Sequence, residues 1–135
     1  MKQVLPLTIT NGRIATREGI EDGSVRLVDG LIEAVGDVGA QDGDETVDAR
    51  GRLVAPGLVD LGVFVIDKPA FHFGGITRAA LMPDQSPPLD LPSRISYIAK
   101  SGKPDFWVHP LAAASRGMEG REIAELALML SLIHI

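Results

Sequence analysis

The sequence predicts an α/β protein in two parts: an all-β lobe over residues 1–55 and a parallel-sheet segment over residues 56–135. Three observations predict it. Short β-branched runs separated by Asn-Gly and Asp-Gly pairs fill the first part. From Pro56 the apolar runs lose their alternation, as strands buried on both faces do. These later runs are interleaved with stretches of helical period, an order that builds parallel sheets.

Each element follows from its residues. Leu7-Thr8-Ile9-Thr10 reads as a strand, Asn11-Gly12 as a turn and Arg13-Ile14-Ala15 as the return strand. Ser24–Val28 alternates, Asp29-Gly30 turns the chain, and Leu31–Val35 closes a second hairpin. Residues 36–45 are polar and glycine-rich, hence a loop; Thr46–Asp48 and Arg52–Ala55 supply two further short strands. A small β-sandwich is the architecture such strands build. Leu58–Ile66, Ile76–Met82 and Phe106–Val108 are the later strands, the second entered through Gly74-Gly75. Ser93–Lys100 reads as a helix. Glu119–Leu130 reads as a second one, with Ile123, Leu126, Ala127 and Leu130 on one face.

The chain has 135 residues, 45% of them hydrophobic and 23% charged, with a net charge of −5. That is apolar enough for a core. A mildly acidic chain without basic clusters gives no electrostatic reason to bind nucleic acid or an anionic membrane surface. The absence of cysteine excludes disulfides, thiolate metal sites and cysteine nucleophiles. Met1–Thr10 makes a poor signal peptide, and no run approaches the roughly 20 apolar residues of a membrane span. A cytoplasmic location is the expectation. A closed parallel barrel needs on the order of 250 residues. Those after Pro56 suffice for roughly three βα units. The chain is therefore expected to be truncated, and Ser131–Ile135, apolar to its last residue and without a C-cap, to be foreign to the natural sequence.

Several segments resemble one family. Val54-Ala55-Pro56-Gly57-Leu58-Val59-Asp60 resembles the junction into the barrel in the amidohydrolase superfamily. Asn11-Gly12-Arg13-Ile14, Asp29–Gly36 and Val47–Gly51 are similar to that superfamily's β lobe. Gly74-Gly75-Ile76-Thr77, Met82–Asp90, His109–Ala114 and Gly117–Leu126 resemble dihydroorotases. The resemblance covers nearly the whole chain. It implies a β-sandwich lobe followed by the first units of a truncated TIM-type (β/α)8 barrel. It also implies a zinc-dependent hydrolase of cyclic amides in pyrimidine biosynthesis, in which metal lowers the pKa of a bound water and polarises a ring carbonyl.

The departures from the family are as informative. Its first barrel strand carries Asp-x-His-x-His, two histidines at alternate positions that face the same way and hold the metal. Here the motif reads Asp60-Leu61-Gly62-Val63-Phe64, so Gly62 and Phe64 mark the positions of lost metal ligands. The substrate-binding arginine expected next is absent from Val65-Ile66-Asp67-Lys68. Asp84 stands where an asparagine is expected after Met-Pro, and would repel an anionic substrate. Phe106-Trp107-Val108 offers no bridging lysine at the third strand's end. No catalytic residue and no cofactor are expected in this chain, although active members use zinc. Asp60, Asp84 and His109 are left as remnants of the substrate pocket.

Other residues have a plain reading beside a functional one. Asp60 is a remnant metal-shell acid or a strand hydrogen-bonder. His72, within Phe71-His72-Phe73, is a substitute ligand or part of a turn or strand start. His109 is a pocket residue or an ordinary strand-end histidine, and His134 lies in the suspect tail. Asp90, like Asp84, reads as a solvated loop carboxylate. Arg78 binds an anion or pairs with an acid. Inactive dihydroorotase homologues can support assembly of aspartate carbamoyltransferase, so the resemblance implies a non-catalytic partner role and an oligomer at full length. The alternative is an active cyclic amidohydrolase with a remodelled site.

Overall fold

A computed structural model of the chain describes residues 5–133. The chain divides into two compact units, Met1–Pro56 and Gly57–Ile135. His134 lies outside the described residues, as does part of Ser131–Ile135.

The first unit is one five-stranded sheet. Its strands are β1 (Leu7–Ala15), β2 (Ile20–Val28), β3 (Leu31–Gly36), β4 (Glu45–Asp48) and β5 (Leu53–Val54). The order is β3-β2-β1-β4, and β5 also pairs with β1. β1, β2 and β3 form an antiparallel meander, whereas β4 and β5 run parallel to β1. Of the expected sandwich, this sheet is the part present among the described residues.

The Asp29-Gly30 hairpin is present, with both residues left-handed at φ 51° and 78°. This is the geometry a two-residue turn needs to match strand twist. The Asn11-Gly12 turn is not there. β1 runs straight through it, and its register against β2 shifts between Ile9↔Val25 and Gly12↔Gly23, so two residues of β1 oppose Ser24. Asn11 sits at φ 54°, which makes the pair a bulge rather than a reversal. The chain reverses later, at Thr16–Gly19, where the Thr16 backbone N–H donates to the Gly19 carbonyl at 2.7 Å. The Thr16 hydroxyl also donates to that carbonyl.

The second unit holds three parallel strands in the order β6 (Leu58–Val63), β7 (Ile76–Leu81), β8 (Trp107–Pro110). The helix α1 (Lys68–Gly74) follows β6, α2 (Pro92–Ser101) follows β7, and α3 (Leu126–Ile133) follows β8. Three βα units are thus in place. α1 replaces the turn or strand start expected around His72. The Asp67 carboxylate caps it by accepting from the Ala70 N–H at 3.0 Å, Pro69 occupies its first turn, and Gly75 closes it at φ 70°.

The helix expected over Glu119–Leu130 starts only at Leu126. Gly117, Met118 and Gly120 are left-handed, at φ 59°, 60° and 73°. That conformation cannot propagate a right-handed helix. A 3-10 turn at Arg116–Met118 and a bridge between Ser115 and Ile123 occupy the segment instead, and Ile123 is exposed.

Side chains alternate across the three-stranded sheet. One face carries Ala79, Leu81 and Val108 into a core with Phe71, Leu89, Ile95, Phe106, Ala124 and Met129. Ile95 and Ala79 are wholly buried. The rings of Phe71 and Phe106 meet edge to face, with centroids 5.1 Å apart. Burial on both faces, expected from the unalternating apolar runs, is not found: Leu58, Val59 and Leu61 are exposed. The helices supply one covering layer, and the described residues of this unit supply none opposite.

Candidate functional site

Barrel enzymes gather their reacting groups at the carboxyl ends of the strands, so those ends of β6, β7 and β8 are where chemistry is sought. They are tied together by backbone. The Met82 N–H donates to the Val63 carbonyl at 2.8 Å, and the Leu111 N–H to that of Leu81 at 2.8 Å. The Gln85 side-chain amide donates to the carbonyls of Phe64 at 3.2 Å and Met82 at 3.0 Å, clamping the loop after β7 onto the end of β6.

Gly62 brings no donor atom, and nothing lies within 4 Å of where its Cβ would be. Phe64 is 60% exposed and presents an apolar ring. Asp60 is half-buried, and one of its carboxylate oxygens accepts from the Gly62 N–H at 3.0 Å. Asp84 is exposed in the loop after β7. His109 is exposed on β8, its Nε2 3.5 Å from Nη1 of Arg78. No hydrogen bond joins any two of Asp60, Asp84 and His109 among the described residues. His72 lies exposed on α1, at a cleft of about 350 Å³ lined also by Lys68, Thr77, Asp105 and Phe106.

Zinc needs three or four nitrogen, sulfur or carboxylate donors converging within about 2.0–2.3 Å of the ion. Among the described residues, no three histidines, aspartates or glutamates stand close enough together to hold a metal. The first strand offers only Asp60, already committed to a backbone N–H. These residues do not fit the zinc that the resemblance implies, and no catalytic step can be routed through it here.

Two expectations are corrected. Asp90 is not a solvated loop carboxylate but is buried at 7% exposure. It accepts from the Gly117 N–H at 2.8 Å and from Arg94 Nη1 at 2.5 Å. The Gly117 hydrogen bond is the main cause holding its carboxyl below the usual carboxylate range. Asp90 thereby fixes the 3-10 turn after β8 to the start of α2, a pairing of residues 27 apart that spacing does not reveal. Arg78 does not pair with an acid among the described residues. It lies against Trp107 and His109.

Solved structures place this architecture among the amidohydrolases. L-hydantoinase (dihydropyrimidinase) from Arthrobacter aurescens superposes with a TM-score of 0.70 at 23% identity, covering 83% of this chain and 28% of that one. A dihydroorotase crystal structure superposes with a TM-score of 0.64 at 12% identity, covering 96% of this chain and 39% of that one. At such identities the likeness shows the fold alone, and the fold is that of the amidohydrolase barrel enzymes.

Curated sequences narrow the class. The dihydroorotase of Ruminiclostridium cellulolyticum is 32% identical over 139 residues, covering 90% of this chain and 32% of that protein. That of Pelotomaculum thermopropionicum is 37% identical over 121 residues, covering 79% and 28%. No family model matches the chain. The chain is dihydroorotase-like in sequence and has the amidohydrolase fold, and it spans about a third of the length of the curated relatives it matches.

Proposed function

We propose that this chain belongs to a dihydroorotase-like protein of pyrimidine biosynthesis that has lost its metal chemistry and serves in the cytoplasm as a non-catalytic partner of aspartate carbamoyltransferase. One observation carries the reading: where the resemblance implies two metal ligands, this chain has Gly62 on β6 and Phe64 just past its end, while the three βα units around them are kept. Nothing in the packing forces glycine at position 62, since the space about its Cβ is open. Donors have gone and fold has stayed, as expected of a protein kept for its surface. Losing two ligands from a four- or five-ligand site is beyond repair by the groups that orient ligands. Asp84 adds negative charge where an anionic substrate would sit.

The test uses the protein at its natural length, purified with and without aspartate carbamoyltransferase. The expected result is substoichiometric zinc, no hydrolysis of dihydroorotate, and a stable joint complex on sizing. Stoichiometric zinc together with dihydroorotate hydrolysis would establish the alternative, an active cyclic amidohydrolase with ligands drawn from elsewhere. Failure of the two proteins to associate would remove the partner role.

A further inference from the structure

The loop that leaves the carboxyl end of β8 is built as a separate body. Ala113 and Ala124 are buried on either side of it, and residues 116–123 between them are exposed. At its neck the Ala124 N–H donates to the Ala114 carbonyl at 3.0 Å and the Arg116 N–H to that of Glu122 at 2.9 Å, with Ser115 and Ile123 bridged between them. Beyond the neck the loop bonds to itself. The Met118 N–H donates to the Ser115 carbonyl at 3.1 Å, and the Gly120 N–H to the Ser115 hydroxyl oxygen at 2.9 Å. Arg116 pairs with Glu122 at 3.3 Å, and Arg121 with Glu119 at 3.8 Å. Ends that meet and bonds that stay inside define a compact loop of the Ω type. Met118, a non-glycine residue at φ 60°, keeps its costly conformation because these bonds over-determine the shape.

Two polar contacts reach outside this body among the described residues. Arg116 meets Glu125, just past the neck, in an exposed pair at 3.3 Å of the kind that contributes little. The other is the Gly117 N–H, which donates to Asp90 Oδ2 at 2.8 Å. No member of the apolar core cluster lies between 115 and 123, so core packing does not hold the loop down. The acceptor is fixed in advance: Arg94 Nη1 donates to Asp90 Oδ1 at 2.5 Å and to the Pro88 carbonyl at 2.9 Å. Asp90 lies in the loop after β7, whose strand is paired with β8, so the tie joins neighbouring units that this chain itself holds. One bond to a charged acceptor favours the held form by only about one to two powers of ten.

We infer that residues 115–123 form a hinged flap at the carboxyl end of β8, pinned shut by Asp90 and swinging as one body about Ala114 and Ala124. Barrel proteins gather their binding groups at that end of the strands, so the flap governs access there. The inference is independent of metal loss and of the partner role.

The test uses the protein at its natural length, where the later loops of the barrel are also present. Arg121→Cys carries a nitroxide label at the tip of the flap, and Lys100→Cys carries it on α2 as the reference; the 135 residues hold no cysteine to compete. In Asp90→Ala, with far-ultraviolet circular dichroism retained, the tip label is expected to tumble several-fold faster, while the α2 label is unchanged. Asp90→Asn keeps the side chain's volume and an acceptor oxygen without the charge. Its tip label is expected to be intermediate, which also covers an alanine variant that fails to fold. Hydrogen exchange separates swinging from melting: the Arg116 and Gly120 amides of Asp90→Ala still exchange more slowly than in an unstructured peptide of the same sequence. A tip label unmoved in both variants, equal loosening of the α2 label, or exchange of those amides at the unstructured rate would overturn the flap.

Discussion

Two glycines of the second unit show how far position decides the cost of a single methyl. At Gly102 a Cβ would lie 2.6 Å from the Phe106 carbonyl oxygen and 2.9 Å from Val108 Cγ2, so backbone itself would have to move. Gly102→Ala is expected to destabilise the unit by about 1–3 kcal/mol, as overpacking does. At Gly62 nothing lies within 4 Å, and Gly62→Ala is expected to change stability by no more than about 0.5 kcal/mol. Urea unfolding followed through Trp107 measures both, and equal costs would contradict the packing described. Asp90 makes a similar point for polar groups. Replacing it with alanine leaves the Gly117 N–H without its acceptor, and a melting temperature lower by roughly 5 °C is expected in a calorimetric scan. Little of this was legible in the chain. Asp90 sits in a proline-rich stretch that reads as loop, and its partners come from residue 94 and residue 117. Arg78 and Trp107 meet only because parallel register brings them together. The missing donors at 62 and 64 were visible at once, because a strand motif is local.

Elements were readable where their signals were local and misread where a longer-range partner decided. The Asp29-Gly30 hairpin and α2 follow from neighbouring residues. Asn11-Gly12 carries the same turn signal, yet β1 continues through it because β4 offers ladder partners up to the bulge and β5 and β2 offer them beyond it. α1 had its signals in plain view in Asp67, Pro69 and Gly75, hidden by the apolar run before them. The first sheet is fastened by charge as well as by ladder. Arg26 donates from Nε and Nη2 to Asp44 at 2.8 and 2.9 Å and from Nη1 to Glu33, while the Thr8 hydroxyl donates to Asp44 at 2.7 Å. The Asp44 side chain is 1% exposed. The guanidinium of Arg26, then the Gln41 N–H and the Thr8 hydroxyl, hold its carboxyl well below the usual carboxylate range. The native state therefore takes up its proton later than the unfolded chain does. The stability this confers is complete above about pH 4, the ordinary aspartate value, and is lost as pH falls below it. Asp48 and Asp90 shift in the same direction. Amide exchange of the β1 and β2 backbone should show protection falling between about pH 4 and pH 2. Asp44→Asn should start from lower protection at neutral pH and fall less steeply; a parallel profile would deny the linkage.

The whole molecule has its two optical reporters in one half. Trp107 and Tyr97, the single tryptophan and the single tyrosine, both lie in the Gly57–Ile135 unit. Aromatic signals thus follow the parallel-sheet unit alone, and backbone probes are required for the other. The two units also rest on different physics. The second has nine buried apolar side chains in one cluster. In the first, the buried apolar residues among those described are Ile14, Val25 and Ala49, beside the polar Thr8 and Arg26. Fold class was legible because these grammars differ along the sequence, alternating before Pro56 and continuous after it.

The parallel attachment of β4 and β5 to β1 has a kinetic consequence. β1, β2 and β3 join through short reversals and need close only small loops, on a timescale of microseconds. β4 and β5 reach β1 across some forty residues, so their ladders form only after a larger loss of chain entropy. The meander should be largely assembled in the folding transition state and the two parallel strands added after it. Substitutions in β2 should then slow refolding, whereas substitutions in β4 should mainly hasten unfolding. The Arg26–Asp44 contact, between residues 18 apart, ties β2 to the residue that leads into β4, and so acts as a latch on the native state rather than as a guide towards it.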